Sequence, residues 1–186
     1  MKHLGTQIIE TPRLLLRPFT LEDAQAMYHN WASDPEVTKY LMWPTHESVE
    51  VSCQVLTDWV SHYPEENYYQ WAIVPKEFGE PIGSIAVVHF HDRIGKAEVG
   101  YCIGKAWWHQ GIMTEALESV IRFLFEEVGF NRVEACHDPN NPNSGKVMAK
   151  CGMRFEGTQR QASFNNQGLC DLSWYGILAS DRKETT

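Results

Sequence analysis

The sequence predicts an α/β (α+β) fold, a mixed sheet with helices on both faces. Three observations predict it. Strand-like and helix-like stretches follow the order β-α-α-β-β-β-α-β-α-β-β, about seven strands interleaved with four helices, which stacks helices against a sheet. Ala97 to Gly104 reads A-E-V-G-Y-C-I-G, an alternation that suits a half-buried strand. Leu117, Val120, Ile121, Leu124, Phe125 and Val128 recur at helical spacing and end at Gly129, a helix stop. A length of 186 residues suits one domain spanning 1–186, with its core at about 11–180.

After an opening strand, Thr20-Leu-Glu-Asp23 is a capping-box-like start, and Leu21, Ala24, Tyr28 and Trp31 place one apolar face on a first helix. Between Pro44 and Pro64, the series Val49, Cys53, Leu56, Val60 and Tyr63 marks a second. Strands are expected at Tyr68 to Val74 and Ile82 to Phe90, then at the Glu98 strand that precedes the long helix. A strand at Arg132 to His137, a helix from Asn143 to Cys151, and strands near 153–159 and 170–179 complete the order.

The 43% apolar and 22% charged composition is that of a globular protein in water. No apolar run approaches the ~20 residues of a membrane span, and M-K-H-L-G-T-Q-I-I-E lacks a signal peptide's apolar core, so no membrane is expected and the cytoplasm follows by default. Cysteines 53, 102, 136, 151 and 170 form an odd set without C-x-x-C spacing, so neither a disulfide framework nor a zinc knuckle is indicated. His89 and His91 share a strand face but have no carboxylate or cysteine at ligand spacing, so they read as surface residues and no metal is expected. A net charge of −8 disfavours nucleic acid and is compatible with cationic amines.

The string W-W-H-Q-G-I-M-T-E-A, Trp107 to Ala116, lies between the Glu98 strand and the long helix. A glycine-containing loop that opens a helix aims free N–H groups and a positive dipole end at one spot, which suits phosphate. It is neither G-x-G-x-x-G nor a Walker loop, since no G-K-[ST] follows. Taken alone, it is an ordinary strand-to-helix turn.

The string resembles the [QR]-x-x-G-x-[GA] signature of the Gcn5-related N-acetyltransferase superfamily, and within it the ribosomal-protein N-terminal acetyltransferase branch, with its A-E-I-G-Y and G-I-M-T-E-A-like strings. The resemblance extends along the chain. T-P-R-L-L-L-R-P-F, Thr11 to Phe19, resembles that branch's opening strand, and D-P-N-N-P-N-S-G-K-V-M-A-K-C-G-M, Asp138 to Met153, its N-x-x-S helix. E-G-T-Q-R-Q-A from Glu156 and D-L-S-W-Y-G from Asp171 resemble its last two strands. It implies a single-domain acetyltransferase fold with a mostly antiparallel sheet and acetyl-CoA as cosubstrate. Departures are Trp108 and Met113 at signature positions, Met148 where many members place a tyrosine acid, and Ser163 where some relatives carry a carboxylate.

By this resemblance the pyrophosphate sits on the amides of His109, Gln110, Gly111, Ile112, Met113 and Thr114, and pantetheine runs beside Cys102, Ile103 and Gly104 as an extra strand would. Asn141 faces a pantetheine group and Ser144 reaches the sulfur, although both also suit turn and cap positions. Lys146 and Lys150 serve either as solvated helix charges or as partners of the adenosine phosphates. Glu98, on one strand face with Gly100 and Cys102, is the candidate base against the alternative of an exposed strand carboxylate. Of Trp31, Tyr40, Trp43, Tyr68, Tyr69 and Trp71, chiefly core aromatics, one or two are expected at the acceptor pocket.

The implied reaction is direct attack of a primary amine on the acetyl thioester. A thiol of pKa ~8.5 leaves with no more help than a hydrogen bond from Ser144, and the developing oxyanion needs a backbone N–H near Ile103. At pH 7 an α-amine of pKa ~8 costs about 1.4 kcal/mol to neutralise and a lysine at ~10.4 about 4.6. That difference favours a protein N-terminal α-amine or another low-pKa amine as acceptor. A small-molecule amine remains open, as do a non-catalytic acetyl-CoA sensor or scaffold and a generic nucleotide-binding protein. Monomer and homodimer are both compatible.

Overall fold

The computed structural model describes residues 1–183, in which eight strands form one sheet of order β1-β2-β3-β4-β5-β6-β8-β7. The strands are β1 (Ile9–Glu10), β2 (Leu14–Arg17), β3 (Gln70–Pro75), β4 (Gly83–His91), β5 (Lys96–Ile103), β6 (Arg132–His137), β7 (Arg154–Asn165) and β8 (Gly168–Leu178). Two-residue β1 is the strand beyond the seven expected. All neighbours are antiparallel except β5 and β6.

The helices divide between the two faces. Helix α1 (Ala24–Met27) widens into a π turn at Tyr28–Ala32 and is followed by α2 (Pro35–Thr38) and α3 (Val49–His62). Ala24, Met27 and Trp31 of α1 join Leu56 of α3 in burying Ala72 and Val74 of the sheet. The expected apolar face is corrected at two positions. Leu21 lies in the 3-10 turn ahead of α1 and is exposed, and Met27 takes the buried place assigned to Tyr28. The Thr20–Asp23 capping box forms, and Arg17 holds Asp23 through two 2.8 Å bonds.

Helix α4 (Ile112–Phe123), its π turn Leu124–Val128 and α5 (Pro142–Lys150) cover the other face. Leu117, Val120, Ile121 and Leu124 are almost wholly buried there, each contributing about 1.5–3 kcal/mol of burial. Gly129, at φ 88°, ends the helix in the left-handed region. Short α6 (Ala179–Lys183) follows β8.

Two irregularities shape the site. The parallel pair β5–β6 is in register only at Lys96–Arg132, Ala97–Val133 and Glu98–Glu134, after which the strands part. The long β7–β8 hairpin is bulged twice, between Phe155 and Gly157 and between Gln159 and Ser163. No helix among the described residues is long and apolar enough to cross a membrane.

Candidate active site

The loop after β5 is pinned at its start, where the amides of Gly104, Trp107 and Trp108 all donate to backbone carbonyls. Gly104 donates to the Ile82 carbonyl at 2.8 Å and is pressed against the Asn30 carbonyl, so that a Cβ there would strike backbone. The Trp108 indole N–H donates to the Ile103 carbonyl at 2.9 Å, which gives the tryptophan at this signature position a structural task. His109, at φ 62°, and Gly111, at φ 74°, then turn the chain through the left-handed region into α4. No side chain caps α4, and Ile112, Met113 and Thr114, whose amides begin the helix, line a cavity. Successive N–H groups in such turns form an anion-binding concavity at a helix's positive end.

The loop is stapled from below. Glu115, in the first turn of α4, accepts from the Thr11 hydroxyl (2.7 Å), the Arg13 amide (2.9 Å) and Arg13 Nε (2.6 Å), while Arg13 Nη1 donates to the Gln110 carbonyl at 2.9 Å. Burial pushes the Glu115 carboxyl up, but these bonds outweigh it and hold it below its ordinary range. Arg13 thus offsets a carboxylate that would otherwise repel an anion at the helix start.

The cavity, of about 300 Å³, runs from this loop into the notch where β5 and β6 part. His109, Gly111, Ile112, Met113 and Thr114 line one end, Cys102 and Ile103 the β5 wall, and Asn141, Ser144, Lys146 and Lys150 the α5 wall. Val37, Tyr40 and Leu41 close it from α2 and the segment after it. Of the expected cofactor residues, Gly104 and Gln110 do not line the cavity. Gly104 is buried by the close approach of α1, and exposed Gln110 turns its side chain back to the Ala106 carbonyl.

At the notch, Ser144 Oγ donates to Tyr101 Oη at 3.2 Å, and Tyr101 Oη donates to the Ser144 carbonyl at 3.1 Å. Burial, above all, pushes the Tyr101 phenol above its ordinary range, against the hydrogen bond from Ser144. Tyr101 is a cavity-lining hydroxyl that sequence reasoning missed. Its only signal was a phenol between Val99 and Ile103 on an apolar strand face. Asn141 is the N-cap of α5, yet its side chain makes no cap bond and stays available. Next to Ser144, a Cβ on Gly145 would meet His137 Nε2 at 2.5 Å, so glycine lets α5 close onto β6. Met148, where many relatives place tyrosine, is buried core.

Glu98 lies outside the cavity wall, on the opposite sheet face from α4, with Gly100 and Cys102. Burial is the main cause that raises its carboxyl pKa, with Glu134 adding to it and His89 and Lys96 opposing. Glu134, on the same face, binds Lys96 at 2.6 Å and Arg132 at 3.0 Å. Among the described residues, no group of three or more His, Cys, Asp or Glu side chains is placed to hold a metal ion. Of the expected aromatics, Tyr40 lines the cavity, and Trp31, Tyr69 and Trp71 are buried core.

A family model described as "Acetyltransferase (GNAT) domain" matches residues 13–154. The chain is 30% identical over 171 residues to the uncharacterized N-acetyltransferase YoaA of Bacillus subtilis, covering 92% of this chain and 96% of that one. It is 27% identical over 114 residues to the ribosomal-protein-serine acetyltransferase of Escherichia coli, 61% of this chain and 63% of that one. The solved structure of a GNAT-family acetyltransferase from Bacillus anthracis superposes with a TM-score of 0.82 at 23% identity, covering 94% of this chain and 99% of the other.

Proposed function

This chain belongs to the GNAT acetyltransferase family and is an acetyl-CoA-dependent N-acetyltransferase; from that premise we propose that its acceptor is a free α-amine, as at a protein N-terminus. One observation carries the choice: no carboxylate lines the cavity among the described residues. With no carboxylate in direct reach of the amine, one that costs about 1.4 kcal/mol to neutralise at pH 7 outcompetes one that costs about 4.6. The name of the Escherichia coli relative, an enzyme that acts on a ribosomal protein, supports a protein acceptor.

Acetyl-CoA supplies an activated acetyl group, and the residues present fit its shape. The uncapped amides at the start of α4 receive the pyrophosphate, and Gly111, with only Arg13 Nη2 within reach at 3.5 Å, leaves room for its approach. Cys102 and Ile103 border the pantetheine, Asn141 meets one of its amides, and Lys146 and Lys150 stand at the adenosine phosphates. Ser144 Oγ turns its proton from Tyr101 Oη to the departing thiolate, while Tyr101 Oη keeps its bond to the Ser144 carbonyl. The raised Tyr101 pKa makes the phenol a hydrogen-bond donor rather than a proton source, because a thiolate of pKa ~8.5 is too weak a base to take its proton. Glu98 accepts the amine proton through water. Gly100 carries no side chain between Glu98 and Cys102, and Val88 lies over it, Cγ1 being 3.1 Å from where a Cβ would stand, so the water must bridge at the Cys102 end.

The test is an acceptor panel with acetyl-CoA and thiol detection, comparing free-N-terminal peptides, N-blocked lysine peptides and small amines. Free N-termini should react fastest. A faster lysine side chain would overturn the α-amine reading, and no turnover with any peptide would shift it to a small-molecule amine.

A further inference from the structure

The two Asn residues at the tip of the β7–β8 hairpin bridge opposite walls of the cavity. Asn166 reaches the segment after α2. Its amide donates to the Leu41 carbonyl at 3.2 Å, and its side-chain Nδ2 donates to the carbonyls of Thr38 (2.8 Å) and Trp43 (2.9 Å). That segment carries Tyr40 and Leu41, which close the cavity. Asn165, 8% exposed, donates from Nδ2 to Asp138 Oδ2 at 2.8 Å, and Asp138 is 6% exposed. The other Asp138 oxygen accepts from Asn140 N at 2.8 Å and Asn140 Nδ2 at 3.0 Å, and the Asp138 carbonyl accepts from Asn141 N at 2.8 Å. Asn141 and Ser144 follow immediately at the start of α5.

We infer that Asn166, Asn165 and Asp138 are positioning residues that set the width of the acetyl-transfer end of the cavity, by tying the Tyr40–Leu41 wall to the Asn141–Ser144 wall through one hairpin tip. The inference rests on the proposed use of this cavity for amine and thioester. A buried carboxylate spanned by two asparagine side chains is an expensive way to gain stability, since apolar residues of similar size would serve as well or better. Its return is geometric. Every donor and acceptor in the chain is directional, so the gap between the walls is fixed at both ends. The rest of the tip faces solvent, with Phe164 and Leu169 exposed and Gly168, at φ 104°, closing the turn.

The experiment compares parent, Asn166→Ala, Asn166→Asp and Asp138→Asn, with Thr158→Val as a control farther down the same hairpin, where Thr158 meets only Ser173 at 2.8 Å. Acetyl-CoA affinity is measured by calorimetry. Steady-state constants are taken with whichever amine of the panel the parent acetylates fastest, so failure of the α-amine reading changes the amine and leaves this comparison intact. Both Asn166 variants should raise the acceptor KM about tenfold, the loss expected for two hydrogen bonds, with acetyl-CoA affinity within about twofold. Asp138→Asn, which also unties the start of α5, should lower kcat as well, and Thr158→Val should match the parent. An unchanged acceptor KM in both Asn166 variants overturns the inference. So does a loss of acetyl-CoA affinity in proportion to the rise in KM, or an Asn166→Asp protein that behaves as parent, since aspartate keeps the size and loses the donors.

Discussion

Gly111→Ala separates the cost of folding the loop from the cost of binding phosphate. The residue stands at φ 74°, where a non-glycine costs ~1–2 kcal/mol. Space is not the obstacle, because the added Cβ would meet only Arg13 Nη2, at an ordinary 3.5 Å. For a chain of this length the strain corresponds to a Tm drop of about 2–8 °C, so the variant stays folded. The methyl group stands on the Arg13 side of the turn, and the strain at this φ shifts the loop amides that receive the anion. Displacing the anion from one charge-assisted hydrogen bond costs roughly 1.5–3 kcal/mol, or a ten- to 150-fold weaker Kd for acetyl-CoA. Calorimetry with acetyl-CoA and with acetyl-pantetheine, which lacks the pyrophosphate, reads the two parts separately. Acetyl-pantetheine should bind parent and variant alike. Unchanged acetyl-CoA affinity, or equal losses for both ligands, would refute the assignment of the pyrophosphate to this loop.

Two further outcomes are expected. Ser144→Ala should lower kcat about tenfold while acetyl-CoA affinity holds, because the lost hydrogen bond is made mainly to the departing thiolate; losses of equal size would make the serine a binding residue. Glu98→Gln tests base and stability together. The raised pKa of Glu98 means that its contribution to stability is full below the unfolded value of ~4.3 and is lost as pH rises through the higher folded value. The glutamine variant should therefore melt above the parent near pH 7 and level with it near pH ~4. The parent's kcat/KM should fall on an acidic limb lying above the ordinary carboxylate range, and the variant should react slowly at pH 7 and recover as rising pH frees the amine. Full activity of Glu98→Gln at pH 7 would remove this carboxylate from the reaction.

What was legible in the sequence was whatever repeats locally. The apolar series from Leu117 to Val128, the stop at Gly129, the Thr20–Asp23 box and β6 at 132–137 follow from periodicity and turn chemistry, and the structure has them there. The outer half of β7 was not legible, because residues 160–164 form a largely exposed, bulged edge strand without apolar alternation. Tyr101 read as one more strand aromatic, since nothing local says that its hydroxyl meets Ser144 across 43 residues. The Arg13–Glu115 staple spans 102 residues and the Asn166–Thr38 bond 128, so neither leaves a mark on local spacing. Met27 displaced Tyr28 from the core in the same way, through a helix that widens by tertiary packing.

The slot where β5 and β6 part bears on how the enzyme turns over. On the proposed reading its contacts fall on pyrophosphate and pantetheine, which CoA retains after the acetyl group has gone. Affinity gathered there is the same before and after transfer, so it cannot hasten the chemical step. The product keeps the grip of the substrate and competes for the slot on nearly equal terms. Departure of CoA then limits the rate once acceptor is plentiful, and the ratio of acetyl-CoA to CoA around the protein, more than the amount of either, governs how fast amines are acetylated.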